Sequence, residues 1–378
     1  MIQAQHLPGL LGVLVLCSAS LQGQQAEAAN SPVPVSNSTL QDPSEAGSPW
    51  SFYGDFRLRW ESNDNQGSED RHRQRIRLRA GAGYQVSEEL SLGARLTTGN
   101  RQDPNNPHVD LGHDGFDRWE FNLDRAFLHY EPHWWESLWM DFGKFSNPIR
   151  RNPVFGELIY DADVQPEGVV AGIQQEHWQL VIGEYVITEQ SLGEESLSTV
   201  LQASGQWQDW NASLGYFFYG DVTPDRNQSL IRNDNAGNAL TPSGRDFASR
   251  FGILHGLLSY SWDSWVFAGE YFQNLRAASG IGDQGFALGS AYQAGDSKFY
   301  YQYQSIEQDA VFSAFAQDDF PTGMQTNYQG HVLGWKYKIS EPVQLHVWLM
   351  AAEPEDAAAA GLPAETFYRF RIDLNLSF

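Results

Sequence analysis

The sequence predicts an all-β protein: a transmembrane, antiparallel, up-and-down β-barrel of about sixteen strands, with short turns at one end and long loops at the other. Three observations predict it. Apolar and polar residues alternate along many segments of strand length. The connections between those segments are alternately short and long. The chain finishes on a strictly alternating strand that stops at a phenylalanine.

That final strand shows the pattern most plainly. Tyr368, Phe370, Ile372, Leu374, Leu376 and Phe378 are apolar, and Arg369, Arg371, Asp373, Asn375 and Ser377 between them are polar. Successive side chains of a strand point to opposite faces, so one face suits lipid and the other water. An edge strand of a soluble β-sandwich is the competing reading of this stretch alone. The ending resembles the C-terminal signature of outer-membrane proteins. The resemblance implies recognition by the barrel-assembly machinery, with Phe378 as the assembly signal.

From the other end, an apolar run from Leu7 to Leu21 precedes Ala26-Glu27-Ala28. This reads as a signal peptide over residues 1–28 with a small-x-small cleavage site, although its first residues carry no Lys or Arg. Cys17, the one cysteine, falls inside it, so no disulfide or thiolate chemistry is expected afterwards. Residues 29–50, rich in Ser, Pro, Asn and Ala, read as a disordered periplasmic lead-in. The barrel is expected over 51–378.

The barrel grammar starts at Phe52, where Phe52, Phe56, Leu58 and Trp60 alternate with Tyr53, Asp55, Arg57 and Arg59. Ile76, Leu78, Ala80, Ala82 and Tyr84 then alternate with arginines and glycines, and Leu90 to Leu96 repeats the pattern. Further strands are expected near 121–131, 137–145, 163–173, 178–187, 197–207, 210–220, 248–262, 265–274, 285–293, 297–306, 326–338, 342–351 and 366–378. Short connections fall at 87–89, 132–136, 174–177, 208–209, 263–264, 294–296 and 339–341. Long ones fall at 61–72, 100–119, 146–162, 188–196, 221–247, 275–284, 307–325 and 352–365. Strict alternation puts all short turns at one end, the asymmetry of an outer-membrane barrel, and Greek-key crossovers would break it. An even strand count lets the last strand close on the first and leaves no open edge.

Composition narrows the function. The 378 residues carry a formal charge of −23, and mean hydropathy is −0.45. No apolar stretch after the leader is long enough for a membrane helix, whereas a barrel exposes only alternate residues to lipid. Strong acidity argues against nucleic acid as a partner. Trp207 and Trp210, then Trp262 and Trp265, bracket two short turns and suit the headgroup level of a periplasmic aromatic girdle. The alternative, an aromatic sandwich core, does not account for clustering at short turns.

Arginine crowds the polar faces of the first strands and the last: Arg57, Arg59, Arg73, Arg75, Arg77, Arg79, Arg95, Arg125, Arg369 and Arg371. Opposite an apolar face, they are expected to line the lumen as one basic wall. Such a wall needs counter-charge. The third long connection, near 146–162, is the expected source, with Glu157, Asp161, Asp163 and Glu167 in or just after it. Folded inward, that loop would narrow the pore and set a transverse field. An ordinary solvated lumen is the plainer alternative.

Several short motifs occur in order: Arg75-Ile76-Arg77-Leu78-Arg79, Leu90 to Gly99, Leu123-Asp124-Arg125-Ala126, Gly143-Lys144 with Asn147-Pro148, and Asp161-Ala162-Asp163 with Pro166-Glu167-Gly168. Over roughly residues 55–172 they resemble the start of the putative porin family of Gram-negative bacteria. The resemblance implies an outer-membrane channel and carries no established substrate or catalytic residue. Many relatives have a longer helical N-terminal segment, which the short lead-in here does not match.

Two rivals remain. A barrel lipase or protease would need a nucleophile–base set. No G-x-S-x-G occurs, and His129, His177, His255, His331 and His346 lie singly on separate elements. A loop-based receptor or adhesin could use Asp103, Asp110, Asp114 and Asp117 around His108 and His113, but they match no calcium-loop spacing and read as solvated loop charge. The expectation is therefore a passive diffusion channel without cofactor or metal. Its partners would be small hydrophilic solutes, outer-membrane lipid and lipopolysaccharide, with a homotrimer as a candidate assembly.

Overall fold

The computed structural model describes residues 48–64, 69–112, 115–116, 118–189, 195–222, 236–244 and 246–378. The leader 1–28, the lead-in up to 47, and His113, Asp114 and Asp117 lie outside the described residues. The strands are β1 Trp50–Asp64, β2 Arg71–Gln85, β3 Leu90–Thr98, β4 Val109–Asp110, β5 Phe121–Tyr130, β6 Leu138–Lys144, β7 Glu167–Gln174, β8 Trp178–Thr188 and β9 Ser196–Trp207. They continue with β10 Trp210–Gly220, β11 Phe251–Trp262, β12 Trp265–Asn274, β13 Gln284–Ala294, β14 Ser297–Ile306, β15 Tyr328–Ser340, β16 Val343–Pro354 and β17 Phe367–Ser377. All but the two-residue β4 form one closed antiparallel ring of 16 strands. β4 lies on β2 through Arg75↔Asp110 and Ile76↔Val109.

The ring closes as parity requires. β17 pairs with β1 from Asp55↔Ser377 to Asp64↔Tyr368. Beyond it, the Gly54 and Phe378 backbones exchange two hydrogen bonds of 2.8 and 3.1 Å. A Cβ at Gly54 would sit 2.5 Å from the Phe378 ring, so glycine there leaves room for the terminal aromatic. Four of the short turns are two residues long, and in three of them the first residue is left-handed: φ is 52° at Gln208, 50° at Asp263 and 56° at Gly295. Positive φ matches the twist of tightly connected strands, and a non-glycine residue bears a steric cost for it.

The outward face is apolar all round, with Leu58, Leu96, Ile182, Leu201, Leu214, Leu288 and Leu333 exposed. Rings collect at the short-turn end: Trp210 meets Tyr260 at 4.6 Å, and Trp265 meets Tyr292 at 4.7 Å.

Two expectations need correction. The first connection is not the long loop 61–72; it spans 65–70, because β1 and β2 run past the apolar pattern. Their ladder continues through Asn63↔Arg71, since backbone pairing needs no lipid and the inward side chains ion-pair. The inner face is also not polar throughout. On β8 to β12 it carries Val181, Val200, Phe217, Tyr219, Phe251, Ile253 and Phe272, all buried. Two long connections, residues 145–166 and 307–327, pack their own apolar side chains against that half of the wall.

Candidate functional site

The site is where those two inward loops meet the arginine strands. Strand alternation aims the arginines of β1, β2, β3, β5 and β17 at the lumen, and every one of Arg59, Arg75, Arg77, Arg79, Arg95, Arg125, Arg369 and Arg371 is buried. Arg57 is the more open member, its side chain 22% exposed.

Most of this charge is answered at once by neighbouring strands. Asp373 binds Arg59 through two bonds of 2.8 and 2.9 Å. Asp55 accepts from Arg77 at 2.6 Å, and Asp124 ion-pairs with Arg95. Glu61, fully buried, takes Arg371 at 2.5 Å, Arg75 at 3.7 Å and also Arg73. Glu61 thus stands in a strand at the centre of the lattice, not in a loop. Asp110 is likewise no solvated loop charge: it lies 2.9 Å from Arg75, 3.2 Å from Arg71 and 3.5 Å from Arg73. Asp103 stays in the second loop, where burial raises its pKa.

The third loop packs on the apolar half of the inner wall. Phe145, Ile149, Leu158, Ile159 and Tyr160 are buried there. Tyr160 lies 5.9 Å from Phe217, and its hydroxyl meets Ser198 at 3.1 Å. Gln202 of the wall satisfies the loop backbone in both directions: it accepts from the Arg150 N–H at 2.6 Å and donates to the Arg150 carbonyl at 3.2 Å. An unpaired buried backbone group would be costly, so these bonds fix the inward path.

The loop's acids divide. Asp163 reaches the arginines, 3.4 Å from Arg77 and in a shorter contact with Arg79. Burial alone would raise its pKa; Arg79 and Arg77 outweigh that and hold it below the usual carboxylate range. Glu157 and Asp161 make no ion pair to the wall among the described residues. Burial pushes Glu157 up to about 7, and burial with Glu157 beside it raises Asp161. Glu167 opens β7 and pairs with Lys144 at 2.7 Å, away from the wall. Arg125 and Arg369 have neutral partners: Gln165 at 2.7 Å, and Asn63 at 2.8 Å.

The 307–327 loop was not singled out from sequence. Ala310, Val311, Phe312, Ala314 and Phe320 are buried, and Phe315 stacks on Tyr160 at 6.0 Å. Its Asp319 ion-pairs with Arg371, and the Asp318 carbonyl accepts from Arg369 at 3.1 Å. Burial, and then Asp319 beside it, raise Asp318 to about 6. The apolar run Ala310-Val311-Phe312 inside a long connection was the available signal.

Between loops and wall lies a cavity of about 300 Å³, lined by Arg57, Arg59 and Arg371 of the strands and by Glu157, Asp161 and Asp318 of the loops. Lys298, Lys336 and His346 complete it from β14 to β16. Buried His108 borders it from the second loop; burial, then Arg59 and Arg75, lower its pKa. The histidines considered as bases are each tied locally: His129 to Asp141 at 2.6 Å, His255 to Glu270 at 3.0 Å, His331 to Tyr301 at 2.9 Å and His346 to Tyr300 at 2.8 Å. His177 is exposed in a turn.

A closed ring with an apolar outer belt and a polar lumen narrowed by inward loops defines a porin-type barrel of the outer membrane. The chain belongs to the family described as "Putative porin", whose model matches residues 60–192 and 284–378. Among solved structures it is similar to OprB of Pseudomonas putida in a high-pH form, with TM-score 0.58, 10% identity, and 87% of this chain and 94% of that chain covered. It is similar to OmpF of Salmonella typhi in complex with daunomycin, with TM-score 0.55, 11% identity, and 87% and 97% covered. A trimer form of OmpT, an outer membrane protein of Vibrio cholerae, matches with TM-score 0.53, 13% identity, and 87% and 99% covered. No curated protein sequence matches the chain.

Proposed function

We propose that this porin passes small hydrophilic solutes by passive diffusion, without catalysis or cofactor, and filters them where the arginine wall faces the acidic inward loops. One observation carries the proposal: Asp163 of the third loop touches Arg77 and Arg79 of β2 inside the ring. The pore-lining set is Arg57, Arg59, Arg75, Arg77, Arg79, Arg95, Arg125, Arg369 and Arg371, and Glu157, Asp161 and Asp163 contribute the opposing charge. Glu167 is dropped from the constriction, since its partner is Lys144. Size and a transverse field then select solutes, anions included. Export through the periplasm, reading of Phe378 by the assembly machinery, and a homotrimer in lipid and lipopolysaccharide belong to the same proposal; the Vibrio cholerae trimer form is its parallel. Purified protein in a planar bilayer should give stepwise conductance, and membranes closed at every voltage would refute the channel. Replacing Arg75, Arg77 and Arg79 by Glu should move the zero-current potential in a salt gradient towards cations. An unmoved potential would place the filter elsewhere.

A further inference from the structure

The chain has four lysines, Lys144, Lys298, Lys336 and Lys338. Two are ion-paired, Lys144 with Glu167 at 2.7 Å and Lys338 with Glu341 at 2.5 Å. The other two stand directly opposite each other across the β14–β15 ladder, Lys298↔Lys336. The same inward row runs on through Lys336↔His346, His346↔Asp373, Arg59↔Asp373 and Arg59↔Arg75. The basic surface of the lumen therefore extends past the arginine strand β17 through β16 and β15 to β14, three strands further.

The two halves of this row differ in how their charge is met. Arg59 has Asp373 at 2.8 Å, and Arg75 has Asp110 at 2.9 Å. Among the described residues no carboxylate lies within ion-pair distance of either lysine. Lys298 donates to the Pro153 carbonyl at 3.1 Å, and the Lys336 ammonium stands 5.9 Å from the Tyr300 ring. Like charges directly opposite on a sheet repel. A purely structural lysine gains by taking a carboxylate, as Lys144 and Lys338 do. Both unpaired lysines are half-buried and line the cavity of about 300 Å³ beside the open Arg57.

We propose that Lys298 and Lys336, with Arg57 beside them, form a subsite for the carboxylate of a small monocarboxylate solute. The inference rests on the porin reading and names a solute class for it. The acidic lining explains the restriction to one negative charge: Glu157 and Asp318 face the same cavity, and above about pH 7, where both are ionised, a second carboxylate on the solute meets like charge. A far end that is neutral or cationic meets none. The arginines, largely neutralised by built-in partners, shape the passage; the lysines hold the free charge.

The test is the zero-current potential of the channel in gradients of potassium acetate and potassium succinate. Acetate should permeate better than succinate relative to potassium. K298Q/K336Q should lower the acetate-to-potassium permeability ratio about threefold while stepwise conductance persists. K298R/K336R should keep the wild-type ratio, and so should K338Q at the turn. K298Q and K336Q singly should each give part of the loss, which decides the matter should the double variant fail to assemble. A ratio unchanged in the Gln variants, or lowered equally by Arg and Gln, would overturn the subsite and leave the porin reading standing. A wild type without conductance would overturn the porin reading and the subsite with it.

Discussion

The two halves of the inner wall hold the lumen in opposite ways. On β17, β1, β2, β3 and β5 the inward row is dominated by arginines, most of them locked to carboxylates, many from the next strand, with Arg125 and Arg369 on neutral partners. On β8 to β12 the inward residues are largely aliphatic and aromatic, with Ser198 and Gln202 among them, and they bind the third loop and the 307–327 loop as a core binds its layers. The difference explains why these loops fold inward. Apolar packing supplies the anchorage, and the acids carried on the anchored loops are thereby delivered to the arginines. Attraction between a lone acidic loop and a basic wall would be a weaker cause, because desolvation offsets much of a buried ion pair's gain.

That comparison can be broken from either side. The largest effect should come from the charged half. Glu61→Ala leaves Arg73, Arg75 and Arg371 without their shared buried acid, and losing one partner of a buried pair costs about 3–5 kcal/mol. Urea unfolding in micelles should show a lowered midpoint; an unchanged midpoint would mean that water screens this lattice. From the apolar half, Tyr160→Ala should cost about 3 kcal/mol of local packing. The ring itself should assemble normally, because Tyr160 lies outside the ladder. The consequence should appear as noisier, larger current steps and faster proteolysis within 145–166. Quiet, wild-type steps would show that the aromatic anchorage is dispensable.

Acidity sharpens the contrast further. Glu157 at about 7 and Asp318 at about 6 lie above their ordinary values through burial. The native protein therefore holds more protons than the unfolded chain between the ordinary carboxylate range and about pH 7. The contribution of these groups to stability is present below that window and is lost as pH rises through it. Conductance follows the same groups: lowering pH from about 8 to about 5 neutralises Glu157 and Asp318 and should move the zero-current potential towards anions. Glu157→Gln should remove the upper part of that titration. The smallest effect belongs to a site in neither half. Lys338→Gln breaks only an exposed, solvent-screened pair with Glu341 and should leave the urea midpoint unchanged.

The ring was legible in the sequence because period-two alternation and loop parity are local signals that lipid enforces on every strand. Phe378, Arg57 and Arg371 stand on the faces that alternation gives them. The first hairpin misled, since Glu61 and Asn63 look like loop residues until Arg73, Arg371 and Arg369 are placed beside them. The apolar half went unread although Tyr216-Phe217-Phe218-Tyr219 breaks the alternation openly: four successive rings must put two inside. Lys298 and Lys336 gave no local signal. They lie 38 positions apart, and only strand register brings them opposite.

The central claim is that the third loop, held by the apolar half, places its acidic segment in the solute path. A cysteine at Glu157, modified in the open channel by a bulky membrane-impermeant thiol reagent, tests this most directly, since Cys17 falls in the expected leader. Modification should lower single-channel current by about half or more. Complete modification with unchanged current would place this loop outside the conducting path and contradict the account.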